Sequence, residues 1–285
     1  EVVREDLFPG GAANVARNLA PFTDHSFIMG RVGDDADAQR LRDLLHGEHV
    51  STDTLLVHDT LPTISKTRIA ARQQQIVRVD RETLKQLDGP ELERVEAVIR
   101  AQLEDLDAII LEDYGKGFIT QSLIEKVTSI AKERGVLVTV DPSPRNPLDW
   151  AGADLVKPNR LEAFAAAGIE DHHPDRPAAQ NPALLEVGST LLEKWNVPIV
   201  LITLGEHGMM LFTRNAPPHH IPTRAREVYD VSGAGDTAIA LLTLAMASGL
   251  SATEAADVAN HASGIVVGKL GTACLTPDEL LQAMQ

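Results

Sequence analysis

Residues 105–141 read DLDAIILEDYGKGFITQSLIEKVTSIAKERGVLVTVD, and this stretch decides the fold. Two apolar runs rich in β-forming residues, Ala108–Leu111 and Val136–Val140, enclose a helical stretch, Thr120–Arg134. Continuous apolar strands that alternate with helices are typical of a parallel sheet covered by helices on both faces. We therefore predict an α/β fold with a doubly wound, mostly parallel sheet.

The same alternation continues towards the C-terminus. Further strands are predicted at Asp154–Val156 and Ile199–Thr203, and further helices at Asn159–Ala167 and Pro182–Trp195. Each predicted strand is followed by a carboxylate, an amide or a glycine turn, namely Asp113, Asp141, Asn159 and Gly205. Ligands bind beyond the carboxyl ends of the strands in open parallel sheets, so we expect a site there.

The segment Thr63–Asp80 has a different period, because its residues alternate as in a strand rather than a helix. In the first of the two strands predicted here, the basic residues Lys66, Arg68 and Arg72 share one face. In the second strand, Arg78 and Asp80 share a face. Two interpretations are open. Residues 54–82 form a small antiparallel β flap that leaves the main sheet, or the segment is an ordinary solvated edge.

The composition argues against several classes of function. A net charge of −15 and 4% aromatic residues disfavour a nucleic-acid partner, which needs basic charge and stacking rings. The longest apolar run, Ala238–Ala247, is far shorter than the ~20 residues that span a bilayer, so no membrane partner is expected. One cysteine, Cys274, excludes a disulfide framework within the chain and favours a cytoplasmic location. We expect one domain, residues 1–285, whose N-terminus is trimmed, because Glu1 is not a methionine.

The chemistry is carried by residues 228–237, which read VYDVSGAGDT and precede an apolar helix. The small residues Gly233, Ala234 and Gly235 let the backbone approach a ligand at a helix N-terminus, where N–H groups and the helix dipole favour an anion. Asp236 in the first turn can accept the proton of a hydroxyl. These are the two requirements of phosphoryl transfer to a hydroxyl group. The alternative is a glycine turn in which Asp236 only favours the helix start.

A second alternative is a dinucleotide-binding fingerprint, because residues 233–238 match G-x-G-x-x-A. That fingerprint follows a buried apolar strand, whereas Arg226–Ser232 is polar. Its helix leads into another strand, whereas a second helix, Thr253–Val267, is predicted here. The context therefore disfavours an oxidoreductase, and no G-x-x-x-x-G-K-[ST] motif of a P-loop enzyme is present.

Four motifs resemble those of the ribokinase-like carbohydrate kinases, the PfkB family. They are the C-terminal signature at Asp230–Thr237, the N-terminal signature at Gly10–Ala16, an N-x-x-E motif at Asn159–Glu162, and a nucleotide loop at Thr203–Gly205 with Gly208. Residues 71–75, 113–117 and 264–272 are most similar to the heptose-7-phosphate kinase branch, the kinase domain of bifunctional heptose kinase/adenylyltransferases. The resemblance implies a ribokinase-like fold in which the flap is a lid.

The resemblance also implies a reaction. ATP would phosphorylate D-glycero-D-manno-heptose 7-phosphate at the anomeric hydroxyl, which is a step towards the lipopolysaccharide precursor of Gram-negative bacteria. The implied catalytic residues are the base Asp236 and an anion hole of Gly233, Ala234 and Gly235. The implied ATP-binding residues are Asn159, Glu162, Thr203, Gly205, Gly208 and Asn260.

Sites for the acceptor and for cations are implied as well. Sugar hydroxyls are assigned to Gly10, Gly11, Asn14 and Asp113, and a phosphate already on the sugar to Lys66, Arg68, Arg78 and Lys116. Glu162 is assigned to Mg²⁺, through water, and Asp230 and Ser232 match positions that bind a monovalent cation, such as K⁺, in relatives. The flap often pairs with its counterpart in relatives, which implies a homodimer.

The chain departs from the family pattern at four places. The family's first strand is missing before Glu1, Pro21–Ser26 is a short link, residues 141–144 read DPSP instead of DPKG, and Glu112 stands where a small residue is usual. The last two leave ribose, fructose, fructose 6-phosphate and adenosine open as acceptors, although several basic residues on the flap favour a phosphorylated one. A non-catalytic sugar- or nucleotide-sensing homologue is the alternative from another class. Asn159 and Glu162 also fit a simple helix cap.

Overall fold

The first elements of the chain form a small unit beside the main sheet. The computed structural model describes residues 2–71, 74–225 and 228–285. Helix α1 (Ala12–Leu19) starts directly after the glycine pair, with Gly11 as its N-cap. The next elements are strand β1 (Arg31–Gly33), helix α2 (Ala36–Gly47) and strand β2 (Leu56–His58). β1 pairs with β2 in parallel.

Strands β3 (Ser65–Ala71) and β4 (Gln74–Arg81) form an antiparallel hairpin. Among the described residues this hairpin is a sheet of its own, so it is a flap and not an edge of the main sheet. It is narrower than the predicted range 54–82, because β2 pairs with β1 instead. Arg72, predicted on the charged face, lies outside the described residues.

The rest of the chain alternates strands and helices as predicted. Its elements are α3 (Gly89–Gln102), β5 (Ala108–Glu112), α4 (Gln121–Arg134), β6 (Leu137–Asp141), β7 (Leu155–Val156), α5 (Arg160–Ala167), α6 (Pro182–Lys194), β8 (Ile199–Thr203), β9 (Met209–Thr213), β10 (Ala216–Ile221), α7 (Ala234–Ala247), α8 (Ala252–Val266) and α9 (Pro277–Ala283). The sheet order is β10-β9-β8-β7-β6-β5. β5 to β8 are parallel, which confirms the prediction, whereas β9 and β10 add an antiparallel edge that was not predicted.

Both faces of this sheet are buried, which explains why its strands are continuously apolar. Val200 and Ile202 of β8 pack in one core with α4 and α6, and Leu201 between them packs in the other core with α7 and α8. All three side chains are fully buried. Burying a side chain of this size contributes about 1.5–3 kcal/mol, so a single strand stabilises helices on both faces.

Helix α7 is the apolar run noted in the sequence. It packs on β5 and β6 and against α1, and its first turn lies close to residues that follow β5 and β7. Its N-terminus therefore lies at the carboxyl ends of the strands, where a site was expected. Within the described part of the chain, no helix is long and apolar enough to cross a membrane.

Candidate active site

Helix α7 begins at the three small residues singled out in the sequence. Its N-cap is Gly233, whose φ of +82° lies in the left-handed region, and no side chain caps the helix. A Cβ on Gly233 would lie 2.9 Å from Nδ2 of Asn14, so conformation and space both favour glycine. The first turn thus presents backbone N–H groups without a side-chain partner, which is the arrangement that an anion requires.

Asp236 is held by hydrogen bonds from two other segments. Its Oδ2 accepts from Nδ2 of Asn14 at 2.7 Å, and its Oδ1 accepts from the hydroxyl of Tyr114 at 2.9 Å. Burial raises the pKa of Asp236, and these two hydrogen bonds act in the opposite direction. The carboxylate therefore has a fixed orientation and binds a proton more readily than an exposed aspartate does.

Asn14 is fixed in turn by the contact between α1 and α7. Oγ1 of Thr237 donates to Oδ1 of Asn18 at 2.8 Å, and Nδ2 of Asn18 donates to the carbonyl oxygen of Asn14 at 2.8 Å. The buried Oδ1 of Asn14 has no hydrogen-bond partner among the described residues. Because Nδ2 of Asn14 is engaged by Asp236, this oxygen is an acceptor beside Asp236 that a ligand hydroxyl can satisfy.

Lys157 and Asp141 form a buried ion pair next to the start of α7. Nζ of Lys157 lies 2.8 Å from Oδ2 of Asp141, and the lysine side chain is 2% exposed. The same Nζ lies 3.7 Å from the position that a Cβ on Gly235 would occupy. Burial acts to lower the pKa of Lys157, but the charge and hydrogen bond of Asp141, together with the charges of nearby glutamates, outweigh burial and raise the pKa. A phosphoryl group at this terminus would therefore meet a charged lysine.

Asn159 and Glu162 form a capping box at the N-terminus of α5. Oδ1 of Asn159 accepts from the N–H of Glu162 at 3.0 Å, and Oε2 of Glu162 accepts from the N–H of Asn159 at 2.8 Å. The helix cap considered from the sequence is therefore present. The roles of the pair towards ATP and Mg²⁺ stay predictions. Thr203 lies beside them, because a parallel β-bridge joins it to Asn159.

Two of the other residues assigned to the nucleotide, Gly208 and Asn260, contact one segment, residues 221–225. Gly208 has a φ of +84°, and a Cβ there would collide with the first carbonyl oxygen of this segment. Nδ2 of the buried Asn260 donates to the carbonyl oxygen of Pro222 at 2.7 Å. Gly205 lies in the turn that joins β8 to β9. Gly208 and Asn260 thus position this segment, and their contact with a nucleotide stays a prediction.

Asp113 is buried at the end of β5. Its Oδ1 accepts from the N–H of Gly115 at 2.8 Å, and its Oδ2 accepts from Nδ2 of Asn146 at 3.0 Å. Burial raises its pKa. Both oxygens are therefore engaged by the protein, and Asp113 shapes the loop that carries Tyr114. Its contact with a sugar stays a prediction.

The glycine pair lies against the ring of Tyr114. A Cβ on Gly11 would be 3.3 Å from Cε2 of that ring, so a side chain there would press on the tyrosine. Gly10 and Gly11 line the same broad cavity as Asp236 and Asp113. The structure thus brings the residues assigned to sugar hydroxyls to the cavity that Asp236 lines.

The basic residues assigned to a phosphate are paired with carboxylates of the flap. Nζ of Lys66 lies 3.0 Å from Asp80 and 3.3 Å from Glu82. Nζ of Lys116, in the loop after β5, lies 2.7 Å from the same Glu82 oxygen. Arg78 contacts Asp80 at 2.9 Å. From the sequence, Asp80 was placed on the face of Arg78 but was not counted against the cations, and Glu82 was not considered, so the positive charge predicted at the acceptor end was too high.

Arg68 is the fourth basic residue of this group and lies opposite Arg78 in the hairpin. Its charge acts on Asp230. Oδ1 and Oδ2 of Asp230 accept from the N–H groups of Ser232 at 2.9 Å and Gly271 at 3.2 Å. These hydrogen bonds lower the pKa of Asp230, and the largest effect comes from Ser232. The charge of Arg68 lowers the pKa further. Cation binding by Asp230 and Ser232 stays a prediction.

Comparison with known proteins identifies the family. The family model described as pfkB family carbohydrate kinase matches residues 2–279. This chain belongs to the PfkB family. It is therefore a carbohydrate kinase, a phosphotransferase with an alcohol group as acceptor. The chain is 40% identical over 284 residues to the bifunctional protein HldE of Pelobacter propionicus, an alignment that covers 100% of this chain and 57% of that protein. It thus spans just over half the length of the curated relatives that it matches.

Solved structures confirm the ribokinase-like fold of this PfkB-family kinase. Arabidopsis thaliana ribokinase complexed with ribose and ATP is similar to this chain, with a TM-score of 0.74 and 21% identity. The alignment covers 97% of this chain and 87% of the ribokinase chain. Escherichia coli phosphofructokinase-2 in complex with potassium has a TM-score of 0.73 and 19% identity, covering 96% and 86%. Kinases of this fold use ATP with a divalent metal.

Two groups of the PfkB-family site, Tyr114 and Glu82, were assigned no role from the sequence, and Lys157 was placed only towards the ATP phosphates. Tyr114 follows the end of β5 and Lys157 follows the end of β7. The rule that ligands bind beyond strand ends could have found both. Glu82 follows the hairpin, and only the three-dimensional fold brings it to Lys116.

Proposed function

We propose that this PfkB-family kinase transfers the γ-phosphoryl group of ATP to the anomeric hydroxyl of D-glycero-D-manno-heptose 7-phosphate, forming the 1,7-bisphosphate. The observation that carries the proposal is a group of four cations at the cavity that contains Asp236. They are Lys66, Arg68, Arg78 and Lys116. A neutral sugar needs no such group, whereas a phosphate is recognised through charged hydrogen bonds. The resemblance to the heptose-7-phosphate kinase branch supports this particular acceptor.

Asp236 would accept the proton of the anomeric hydroxyl. The hydroxyl oxygen would form a bond to the γ-phosphorus while the bond between that phosphorus and ADP breaks. The N–H groups at the start of α7 would hydrogen-bond the transferred phosphoryl group. Lys157, 3.7 Å from a Cβ position on Gly235, would add a positive charge beside it. The unsatisfied Oδ1 of Asn14 would accept a hydrogen bond from a sugar hydroxyl.

The residues at the strand ends fit ATP with Mg²⁺. Burial raises the pKa of Glu162, because it disfavours the ionised carboxylate. A hard divalent cation, held through water, would stabilise that carboxylate. Mg²⁺ supplies neutralisation of charge on the β- and γ-phosphates. Asp230 and Ser232 are proposed for K⁺, because the carboxylate of Asp230 keeps its charge and shapes a loop before α7. Escherichia coli phosphofructokinase-2 has been solved in complex with potassium.

Fructose 6-phosphate is the second candidate acceptor, because the same four cations suit any sugar phosphate. The test is steady-state ADP release with heptose 7-phosphate, fructose 6-phosphate, ribose and fructose at low and high ionic strength. We expect the highest kcat/KM for heptose 7-phosphate, with a steeper loss on added salt than for a neutral sugar, because screening weakens exposed charge contacts. Ribose or fructose outperforming both phosphorylated sugars would contradict the proposal.

We also propose a cytoplasmic homodimer that forms through the flap. The side of the hairpin away from its cations carries Ile69, Val77 and Val79, which are 50%, 44% and 53% exposed. Thr67 lies opposite Val79, and Ile69 lies opposite Val77, so this face is continuous. A second copy of the hairpin would cover it. The chain's single cysteine suits a reducing compartment.

A further inference from the structure

Glu112, which stands where a small residue is usual in the family, lies near the start of α7. Glu112 ends β5 and is the register partner of Asp141 in β6. Thr139, two residues before Asp141, forms a hydrogen bond of 2.6 Å to Thr243 of α7. Side chains two residues apart in a strand share a face, so Asp141 also faces α7. Its register partner Glu112 points to the same side of the sheet.

The two carboxyl groups have one cation between them. Lys157 is 2.8 Å from Oδ2 of Asp141 and is therefore committed to Asp141. Oε1 of Glu112 is buried and has no hydrogen-bond partner among the described residues. Neighbouring buried carboxylates that share one counter-ion cannot both ionise at low cost, and the one without the ion pair retains the proton.

Among the described residues, the principal charges that act on Glu112 include one cation, Lys157. α7 contributes Asp236, α5 contributes Glu162, and the loop after β5 contributes Tyr114 and Asp113. Burial raises the pKa of Glu112 well above its usual range, and the charges of Asp141 and Asp236 act in the same direction. The surroundings of Glu112 thus favour its neutral form.

We propose that Glu112 keeps a proton at neutral pH, so that Glu112, Asp141 and Lys157 together form a floor of zero net charge under the N-terminus of α7. An anionic phosphoryl group then approaches this terminus without an additional negative charge beneath it. Loss of the proton gives the floor a net charge of −1, which opposes the approach of ATP. The proposal rests on the assignment of the α7 terminus to the transferred phosphoryl group. Glu112 acts through the field at this site, as a positioning residue.

The first test is the pH dependence of kcat/KM for ATP, from about pH 5.5 to about pH 9.5, because this parameter reports groups of the free enzyme. In the wild type it should fall as Glu112 ionises and then level off at a lower value. Glu112→Gln, which has the shape of the neutral acid, should lack this alkaline fall. Glu125→Gln, a change at an exposed glutamate of α4, is the matched control and should keep it. An unchanged alkaline fall in Glu112→Gln would overturn the proposal.

The second test needs no activity and separates this proposal from the assignment of the site. A carboxyl group whose pKa is raised by folding contributes stability that is lost as pH rises towards the raised value. The Tm of Glu112→Gln should therefore match that of the wild type near about pH 4 and exceed it increasingly towards about pH 8. A Tm difference that is independent of pH would overturn the proposal, even if the kinase assays succeed.

Asp141→Asn provides the test if Glu112→Gln does not fold. Removing the charge of Asp141 releases Lys157 to pair with Glu112, so the proton on Glu112 becomes easier to lose. An ionised Glu112 paired with Lys157 leaves the floor of this variant with zero net charge, so the alkaline fall in kcat/KM for ATP should disappear. A fall at the wild-type position would show that another group causes it, and the proposal would be wrong.

Discussion

At the residue scale, Tyr114 tests how the base is oriented. Tyr114→Phe removes the 2.9 Å hydrogen bond to Oδ1 of Asp236. A hydrogen bond to a charged group contributes about 1.5–3 kcal/mol, so kcat should fall by about tenfold to a hundredfold. This hydrogen bond lowers the pKa of Asp236 against the effect of burial, so its loss should move the acid side of the kcat profile to higher pH. A variant with unchanged kcat and an unchanged acid side would show that Tyr114 does not orient the base.

Single residues differ in how far the sequence could assign them. A role for Asp236 could be predicted, because the small residues that suggest it precede Asp236 directly in the chain. The hydrogen-bond partners of Asp236 could not be predicted, because Tyr114 and Asn14 are 122 and 222 residues away from it in the chain. Asn14 was assigned to the sugar, yet its amide nitrogen contacts the base. Pairing over such separations depends on packing, which one sequence does not contain.

At the scale of elements, the flap and the loop after β5 are linked through Glu82. Glu82→Gln removes the counter-anion of Lys66 and Lys116, which lie 3.3 Å and 2.7 Å from its carboxylate. In the variant, the phosphate of a sugar phosphate no longer has to displace a carboxylate from the lysines. Because exposed ion pairs contribute about 0.2–1 kcal/mol each, KM for a sugar phosphate should fall by about twofold to tenfold. KM for ATP should stay the same.

Glu96→Gln is the matched control for this change. Glu96 also joins two cations, Arg100 at 3.0 Å and Lys126 at 2.7 Å, on the surface of α3 and α4. The control should leave both KM values unchanged. A rise in KM for the sugar phosphate in Glu82→Gln would mean that Glu82 holds the lysines in place for the ligand, and the displacement argument would be wrong.

The predicted elements agree with the structure where their signal is local. The strands of β5, β6 and β8 were predicted because each is an uninterrupted apolar run between helices. The hairpin was recognised by its period, and its first strand begins at Ser65, after the start of the predicted flap range. Residues of β2 pair with β1, and the choice of a strand partner is not encoded in the pattern of either strand. The antiparallel edge of β9 and β10 escaped prediction for the same reason.

At the scale of the whole molecule, the exposed apolar face of the flap predicts the oligomeric state. Val79→Lys places a charge in the centre of this face, opposite Thr67. A dimer that forms there should dissociate, since burying an unpaired charge costs far more than a contact contributes. Light scattering after size-exclusion chromatography should give the mass of a dimer for the wild type and of a monomer for the variant. A wild-type monomer, or a variant that stays dimeric, would contradict the flap interface.

The central claim is that Asp236, at the start of α7, is the base of a phosphoryl transfer from ATP to a sugar. The most direct measurement is kcat for ADP release by Asp236→Asn, together with its ATP affinity by calorimetry. The amide keeps the hydrogen-bonding shape but cannot accept the hydroxyl proton, so kcat should fall by about 10²–10⁴-fold while ATP binding stays nearly intact. A variant that retains half of the wild-type rate would contradict the claim.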